Sequence, residues 1–375
     1  MIDKNNENCP RAQTAPTNKP VAVALQGGGI HGAFTCGILC GLLEDERLDI
    51  TSVSGTSAGA MNAAALVQGL TQNGRAGAQA FLRRYWQEIA EVFGAFSPCK
   101  SLYKDKKAGD YNLDHSPSFL FAGMVQSFFS PYELNPLGIN PFFEFLSDFF
   151  DFDALNQSDI DLHISTTDVE AGKIKVWTNG EISADVLLAS SCLPCLSQAV
   201  KINDRFYWDG GFLANPAIFP LINNAHDAAR KKSDAEERRK EQATVRDIIV
   251  IPLTRQTAKH LPTTNFEIQN RLTEITLNGC LVREMRAIHL ITKLIDDGVI
   301  KQGSMQRCNI HIIKNDKTFE GLNSSSSCNM DEDFVAFLYE EGYKTAETWL
   351  KNHFSDLGTP KSVDCGEHSV FDDFV

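Results

Sequence analysis

The sequence predicts an α/β chain in three layers, with a central, mostly parallel sheet between helices. Three observations carry that reading. The apolar run Val21-Ala22-Val23-Ala24-Leu25 breaks into Gly27-Gly28-Gly29-Ile30-His31-Gly32 and then a helical pattern. Ile50-Thr51-Ser52-Val53-Ser54 breaks into Gly55-Thr56-Ser57-Ala58-Gly59 and then a second helical pattern. Later, the short strand-like Phe206-Tyr207-Trp208 runs into Asp209-Gly210-Gly211. Strands alternating with helices across tight turns mark parallel α/β layering.

Taken in order, the first glycine loop opens a helix over Gly32 to Leu43, and the second opens one over Ala58 to Leu70. Each places a helix N-terminus, with its partial positive charge, behind a loop. Arg75 to Phe93 reads as an amphipathic helix with Phe81, Leu82, Tyr85, Trp86 and Ile89 on one side. Asp161 to Thr178 reads as a hairpin turning at Ala171-Gly172, and Asp247 to Pro252 as a buried strand. Asn265 to Asp296 and Asp331 to His353 are long helical patterns, and Asn309 to Ile313 is strand-like. No internal repeat is present.

The chemistry lies in the loops. The first can turn backbone N–H groups toward an anion, and the second can present the Ser57 hydroxyl on a sharp strand-to-helix elbow. A presented serine beside oxyanion donors is what acyl transfer needs. A dinucleotide site would want an acidic residue ending the second strand, and that strand runs straight into Gly55 and Ser57. A nucleotide phosphate loop would need Gly-Lys-Ser/Thr after the glycines, which is missing. Alone, Asp209-Gly210-Gly211 is as well explained by a turn.

Together, in this order, the three elements resemble the patatin-like phospholipase family, and its bacterial branch in particular, from about residue 20 to about 370. Leu188 to Pro194, Trp208 to Pro216, Ser130 to Pro136 and the helix from Tyr343 to Leu350 strengthen the resemblance. It implies a patatin-like fold, Ser57 as nucleophile, Asp209 as its side-chain partner, and backbone donors from Gly27, Gly28 and Gly29 as the oxyanion hole. His31, Gly32, Gly55, Gly59, Gly210 and Gly211 support these motifs. Many members carry Arg or Lys where this chain has His31, so a fixed positive charge at the loop is not expected near neutral pH.

A carboxylate becomes a stronger base where burial disfavours its charge, so an aspartate can serve without a histidine. The competing layout is a Ser-His-Asp triad with a late histidine. Its candidates are His260, His289, His311, His353 and His368. His289 falls in a helical pattern and His311 in a strand, and neither reads as a residue presented from a loop.

Composition narrows the classes. The 375 residues are 43% hydrophobic, enough for a full core, and the motifs require one mixed domain spanning at least residues 20 to 216. A net charge of −13, from 35 basic and 48 acidic residues, argues against nucleic-acid binding and against adhesion to anionic lipid by charge alone. Membrane contact should be local, transient and apolar. Residues 1–20 are polar without the apolar core of a signal peptide and read as a disordered arm; 21–355 form the catalytic domain; 356–375 form a tail. No apolar run is long enough to span a bilayer, so a cytoplasmic protein, peripheral to membranes, is expected, with export to a host left open. The ten cysteines read as reduced thiols. Cys192 and Cys195 have redox spacing without the strand that a redox fold would supply, and no second pair suggests zinc.

Two insertions interrupt the domain. Residues 226–245 are charge-rich and read as a solvated helix face. Residues 97–141 begin polar and become phenylalanine-rich from Phe119 to Phe129, followed by Phe142, Phe143, Phe145, Phe149, Phe150 and Phe152. Core packing explains phenylalanines most simply; a lid or acyl channel explains a contiguous apolar rim. The expected activity is hydrolysis of a carboxylic ester in a phospholipid or lysophospholipid, without metal or organic cofactor. The alternative is a catalytically silent module that binds a protein partner.

Overall fold

The computed structural model describes residues 18–94, 97, 99–222, 246–255, 257, 261–301 and 305–359. The arm before residue 18, the charge-rich segment 226–245, His260, His368 and the tail from residue 360 lie outside the described residues. In chain order the elements are β1 (Lys19–Leu25), α1 (Gly32–Leu43), β2 (Leu48–Gly55), α2 (Ala58–Glu88), α3 (Tyr103–Lys107), α4 (Pro117–Phe128), α5 (Pro131–Leu134), α6 (Pro141–Phe149) and α7 (Phe152–Asn156). They continue with β3 (Asp161–Asp168), β4 (Lys173–Thr178), α8 (Ala184–Ser190), β5 (Val200–Ile202), β6 (Arg205–Asp209), α9 (Phe219–Ile222), β7 (Arg246–Ile251), α10 (Asn265–Asp296), β8 (Cys308–Ile312), α11 (Asp316–Phe319) and α12 (Glu332–His353).

From Val21 onward β1 is buried on both faces, so both of its side-chain rows are apolar. Val21, Val23 and Leu25 enter one core with α1, α2 and α12. Ala22 and Ala24 enter a second core with Ile248 and Val250 of β7, Leu221 of α9, and Leu281 and Met285 of α10. Helices therefore cover both sides of the sheet, giving the three-layer α/β/α architecture. The strand order is β5-β6-β3-β2-β1-β7-β8, with β4 also paired to β3. The pairs β3–β2, β2–β1, β1–β7 and β7–β8 are parallel; β4, β6 and β5 join antiparallel.

Every residue of α1 is buried, which is why it is apolar around its whole circumference. It packs against α12 backbone to backbone. A Cβ at Gly37 would fall on the Tyr339 carbonyl, and one at Gly342 on the Phe34 carbonyl. The two helical patterns read over 58–70 and 75–93 are the arms of α2, broken at Asn73 and at Gly74, where φ is 64°. The end of the second arm widens into a π-turn over Ile89–Phe93.

The phenylalanine-rich region divides in two. Phe149 and Phe150 are core, and Phe142, Phe143, Phe145 and Phe152 pack on it. Ring contacts such as Phe81–Phe149, 4.7 Å between centroids, tie them to α2. The stretch from Phe119 to Phe129 is not core: α4 and α5 contain no buried residue, and Phe121, Phe128 and Phe129 are exposed. Among the described residues no helix is long and apolar enough to cross a membrane.

Candidate active site

β3 brings the decisive chain ends together. Its Ile164 lies opposite Gly55 at the end of β2, and two residues on its Thr166 lies opposite Asp209 at the end of β6. Residues 152 apart in sequence, Ser57 and Asp209, thus meet at one end of the sheet.

Ser57 follows directly as the turn into α2. Its backbone has φ 57° and ψ −125°, a left-handed conformation that costs a non-glycine residue on the order of 1–3 kcal/mol. Its surroundings hold it there. The Ser57 N–H donates to Ser190 Oγ at 3.0 Å, and the Ser190 hydroxyl donates to the Ser165 carbonyl at 2.8 Å. The Thr56 hydroxyl donates to the Ala214 carbonyl at 2.8 Å. Gly55 and Gly59 let the elbow close, because a Cβ on Gly55 would strike the Gly59 carbonyl and one on Gly59 the Leu25 carbonyl. The hydroxyl of a half-buried Ser57 is thereby presented beside Asp209.

Asp209 is buried, and its Oδ1 accepts the Gly211 N–H at 2.7 Å. Its own N–H donates to the Cys192 carbonyl at 2.8 Å, and its carbonyl accepts the Thr167 hydroxyl at 2.8 Å. Burial raises its pKa from 3.8 to about 7, against the opposing pull of the Gly211 N–H and the Ser57 hydroxyl. A carboxylate that is half-ionised near neutrality can take a proton from a hydroxyl and return it to a leaving group.

The glycine loop is held from behind by buried amides. Gln26 Oε1 accepts the Leu253 N–H at 2.6 Å and the Thr254 N–H at 2.9 Å; its Nε2 donates to Asn278 Oδ1 at 3.0 Å and to the Asn215 carbonyl at 3.3 Å. The Gly27 N–H donates to Asn215 Oδ1 at 2.8 Å, so it is committed inside the protein. The N–H groups of Gly28 and Gly29 donate to no described protein atom. Gly29 has φ 58°, and a Cβ there would fall on the Ser327 carbonyl.

His31 is buried. Its Nε2 lies 2.8 Å from Ser326 Oγ. The Ser326 hydroxyl proton goes to the Asn323 carbonyl at 2.6 Å, so the ring nitrogen is the donor in that pair. Burial, aided by Arg255, lowers its pKa to about 4, leaving it neutral at pH 7. Three of the candidate histidines fall among the described residues, each on another element. His311 on β8 bonds Asp247 at 2.7 Å, and Asp247 begins the body of β7, at the strand end opposite the Ser57 elbow. His353 bonds Asp356 at 3.1 Å beyond α12, and His289 lies in the second half of α10. Cys192 and Cys195 are unbridged; the buried Cys192 thiol donates to the Gln198 carbonyl at 3.0 Å.

Ser190 and Asn215 lie in two segments that carry the resemblance, but no role was read for either; Gln26 and Asn278 escape a motif search, being polar side chains whose partners lie up to 252 residues away.

The patatin-like phospholipase model matches residues 23–222. No curated protein matches significantly. Among solved structures, the chain is similar to the crystal structure of VipD from Legionella pneumophila at 15% identity and a TM-score of 0.33, covering 90% of this chain and 68% of that one. With more than half its length matched, from the first glycine strand through the loop after Asp209, the chain belongs to the patatin-like phospholipase family.

Proposed function

We propose that the protein is a serine lipid acyl hydrolase of the phospholipase A or lysophospholipase type, working through Ser57 and Asp209. Family membership supports lipid acyl hydrolysis in general. The observation that carries the finer reading is a buried carboxylate with a pKa of about 7 beside a serine held in a strained elbow.

In this mechanism Asp209 accepts the Ser57 proton as Oγ attacks the ester carbonyl. Negative charge develops on the carbonyl oxygen, and the free N–H groups of Gly28 and Gly29 receive it. One such preorganised donor is worth roughly 10²–10³ in rate. Gly27 acts differently, as the anchor to Asn215 that fixes the loop's position. The tetrahedral intermediate collapses, the ester oxygen leaves with the proton from Asp209, and an acyl-Ser57 remains. Asp209 then deprotonates water, which attacks the acyl carbonyl; the fatty acid departs and Ser57 regains its proton. The reacting lipid is reached by transient contact with a membrane surface.

The test is a panel of phospholipids, lysophospholipids and acylglycerols incubated with purified protein and with Ser57→Ala, with products identified by mass spectrometry. Fatty acid and the matching lysolipid should appear with the parent only. Release that is equal in the two proteins, or absent in both, contradicts the proposal.

A further inference from the structure

We propose that exposed apolar side chains on both flanks of Asp209 form a docking collar for an uncharged or zwitterionic lipid surface. The inference rests on the lipid hydrolase reading and names the surface on which that site works.

One flank is α4, α5 and the turn beyond them. Phe128 is 78% exposed and Leu137 81%, and Phe121 and Ile139 are likewise exposed. Between Pro117 and Asn140 the only side chain charged at neutral pH is Glu133, and its carboxylate accepts the Ser130 N–H at 2.8 Å as a helix cap. This flank is bonded to the segment that leads to Asp209. Gln198 Nε2 donates to the Asn135 carbonyl at 2.6 Å, and the Ala199 N–H donates to Tyr132 Oη at 3.2 Å. The same segment carries the Cys192 carbonyl that accepts the Asp209 N–H.

The other flank is α10. Ile268, Leu272 and Ile275 recur at intervals of four and three, the spacing of one helix face, and that face points to solvent. Two residues beyond Ile275, Leu277 packs on Gly211, 3.0 Å from where a Cβ would sit, and the Cys280 thiol donates to the Phe212 carbonyl at 3.5 Å. Phe212 and Leu213, in the turn after Asp209, are themselves exposed. A 3-10 turn over Ser324–Cys328 joins the flanks: Ser324 Oγ donates to Asn270 Oδ1 on α10 at 2.5 Å, and Ser325 Oγ accepts the Leu113 N–H at 3.1 Å just before α4.

Charge decides the occupant. The α4–α5 flank carries no lysine or arginine, and the chain carries −13 overall. An anionic headgroup layer finds no cation there and is repelled by the whole. A lipid surface without net charge accepts apolar side chains without that penalty.

The experiment uses full-length protein carrying Ser57→Ala, so that lipid is not consumed, with phosphatidylcholine vesicles in a flotation assay. Two exposed pairs, Phe128→Ser with Leu137→Ser and Leu272→Ser with Ile275→Ser, are compared after thermal melts confirm an unchanged fold. The parent should float with the vesicles at low and high salt alike, and each pair should lower the partition coefficient roughly tenfold or more. Binding that needs anionic lipid or vanishes in salt overturns the proposal, as does equal partition of parent and pairs. So does a dimer, seen by sedimentation, that the same pairs dissociate, because the collar would then be covered by a second copy. Turnover of a short soluble ester by the Ser57-containing protein separates the two readings: its absence, with flotation intact, sinks the hydrolase and supports the collar.

Discussion

A carboxylate with an ordinary pKa is a weak acceptor for a serine proton, and burial is what makes Asp209 a better one. In the proposed dyad only its ionised form acts as base, so kcat/KM should rise through about pH 7 and level off above it. At one pH unit below, roughly a tenth of the carboxylates remain ionised, and activity should fall accordingly. A profile flat from pH 5 to pH 8 would detach Asp209 from the chemistry. In the proposed mechanism Ser190 acts one step back, through the Ser57 backbone, as a positioning residue. Ser190→Ala should lower kcat roughly tenfold or more with little change in KM, since a displaced nucleophile loses alignment rather than lipid binding. A pure KM effect would assign Ser190 to substrate contact instead. Ser57 was legible as a presented serine from its glycine framing, whereas Asp209-Gly210-Gly211 alone reads as a turn and took its role from the family resemblance. The positioning roles of Ser190 and Asn215 were not legible, although both lie in segments that carry the resemblance, since a buried hydroxyl or amide aimed at a backbone group declares itself only through its partner.

Elements were legible where period and punctuation agree. α1 and α10 occupy the ranges read from their patterns, and the antiparallel β3–β4 hairpin turns at Ala171-Gly172 as expected. β5, three residues long, was missed because it has too few residues to show alternation. The exposure of α4 was equally invisible: a run of phenylalanines reports apolarity, and only packing partners decide whether it is buried. The contact of α1 with α12 shows what a single atom can cost. Gly342→Ala would push a methyl into the Phe34 carbonyl, and overpacking of this kind destabilises by ~1–3 kcal/mol. Thermal melting should fall by several degrees while turnover per folded molecule stays near that of the parent. An unchanged melt would mean that the helix pair is looser than its glycines imply.

Across the whole molecule, the buried histidines and Asp209 set opposing responses to acid. His31 and His163 are depressed to about 4 by burial, so the unfolded chain binds their protons first as pH falls below 6.5. Their contribution is present in full above that pH and is lost progressively down to about pH 4, on the order of 3 kcal/mol each. Asp209 runs the other way. Raised to about 7, it takes a proton in the folded state first, so its burial weakens the fold above pH 7 and is relieved on acidification. Asp209→Asn should therefore melt higher than the parent at pH 8, and the gap should narrow at pH 5. A lower melt at pH 8 would show the carboxylate to be structurally favourable. That stability is what the fold gives up to hold the proposed base at the end of β6. Whether Ser57 and Asp209 act together is decided by kcat for fatty-acid release from long-chain lysophospholipid, measured for the parent, Ser57→Ala, Asp209→Asn and the double variant. If the two residues act as a unit, each single variant loses at least about 10³-fold and the double variant loses little more. Near-parental release by Asp209→Asn would contradict the Ser57–Asp209 dyad and leave a histidine as the base.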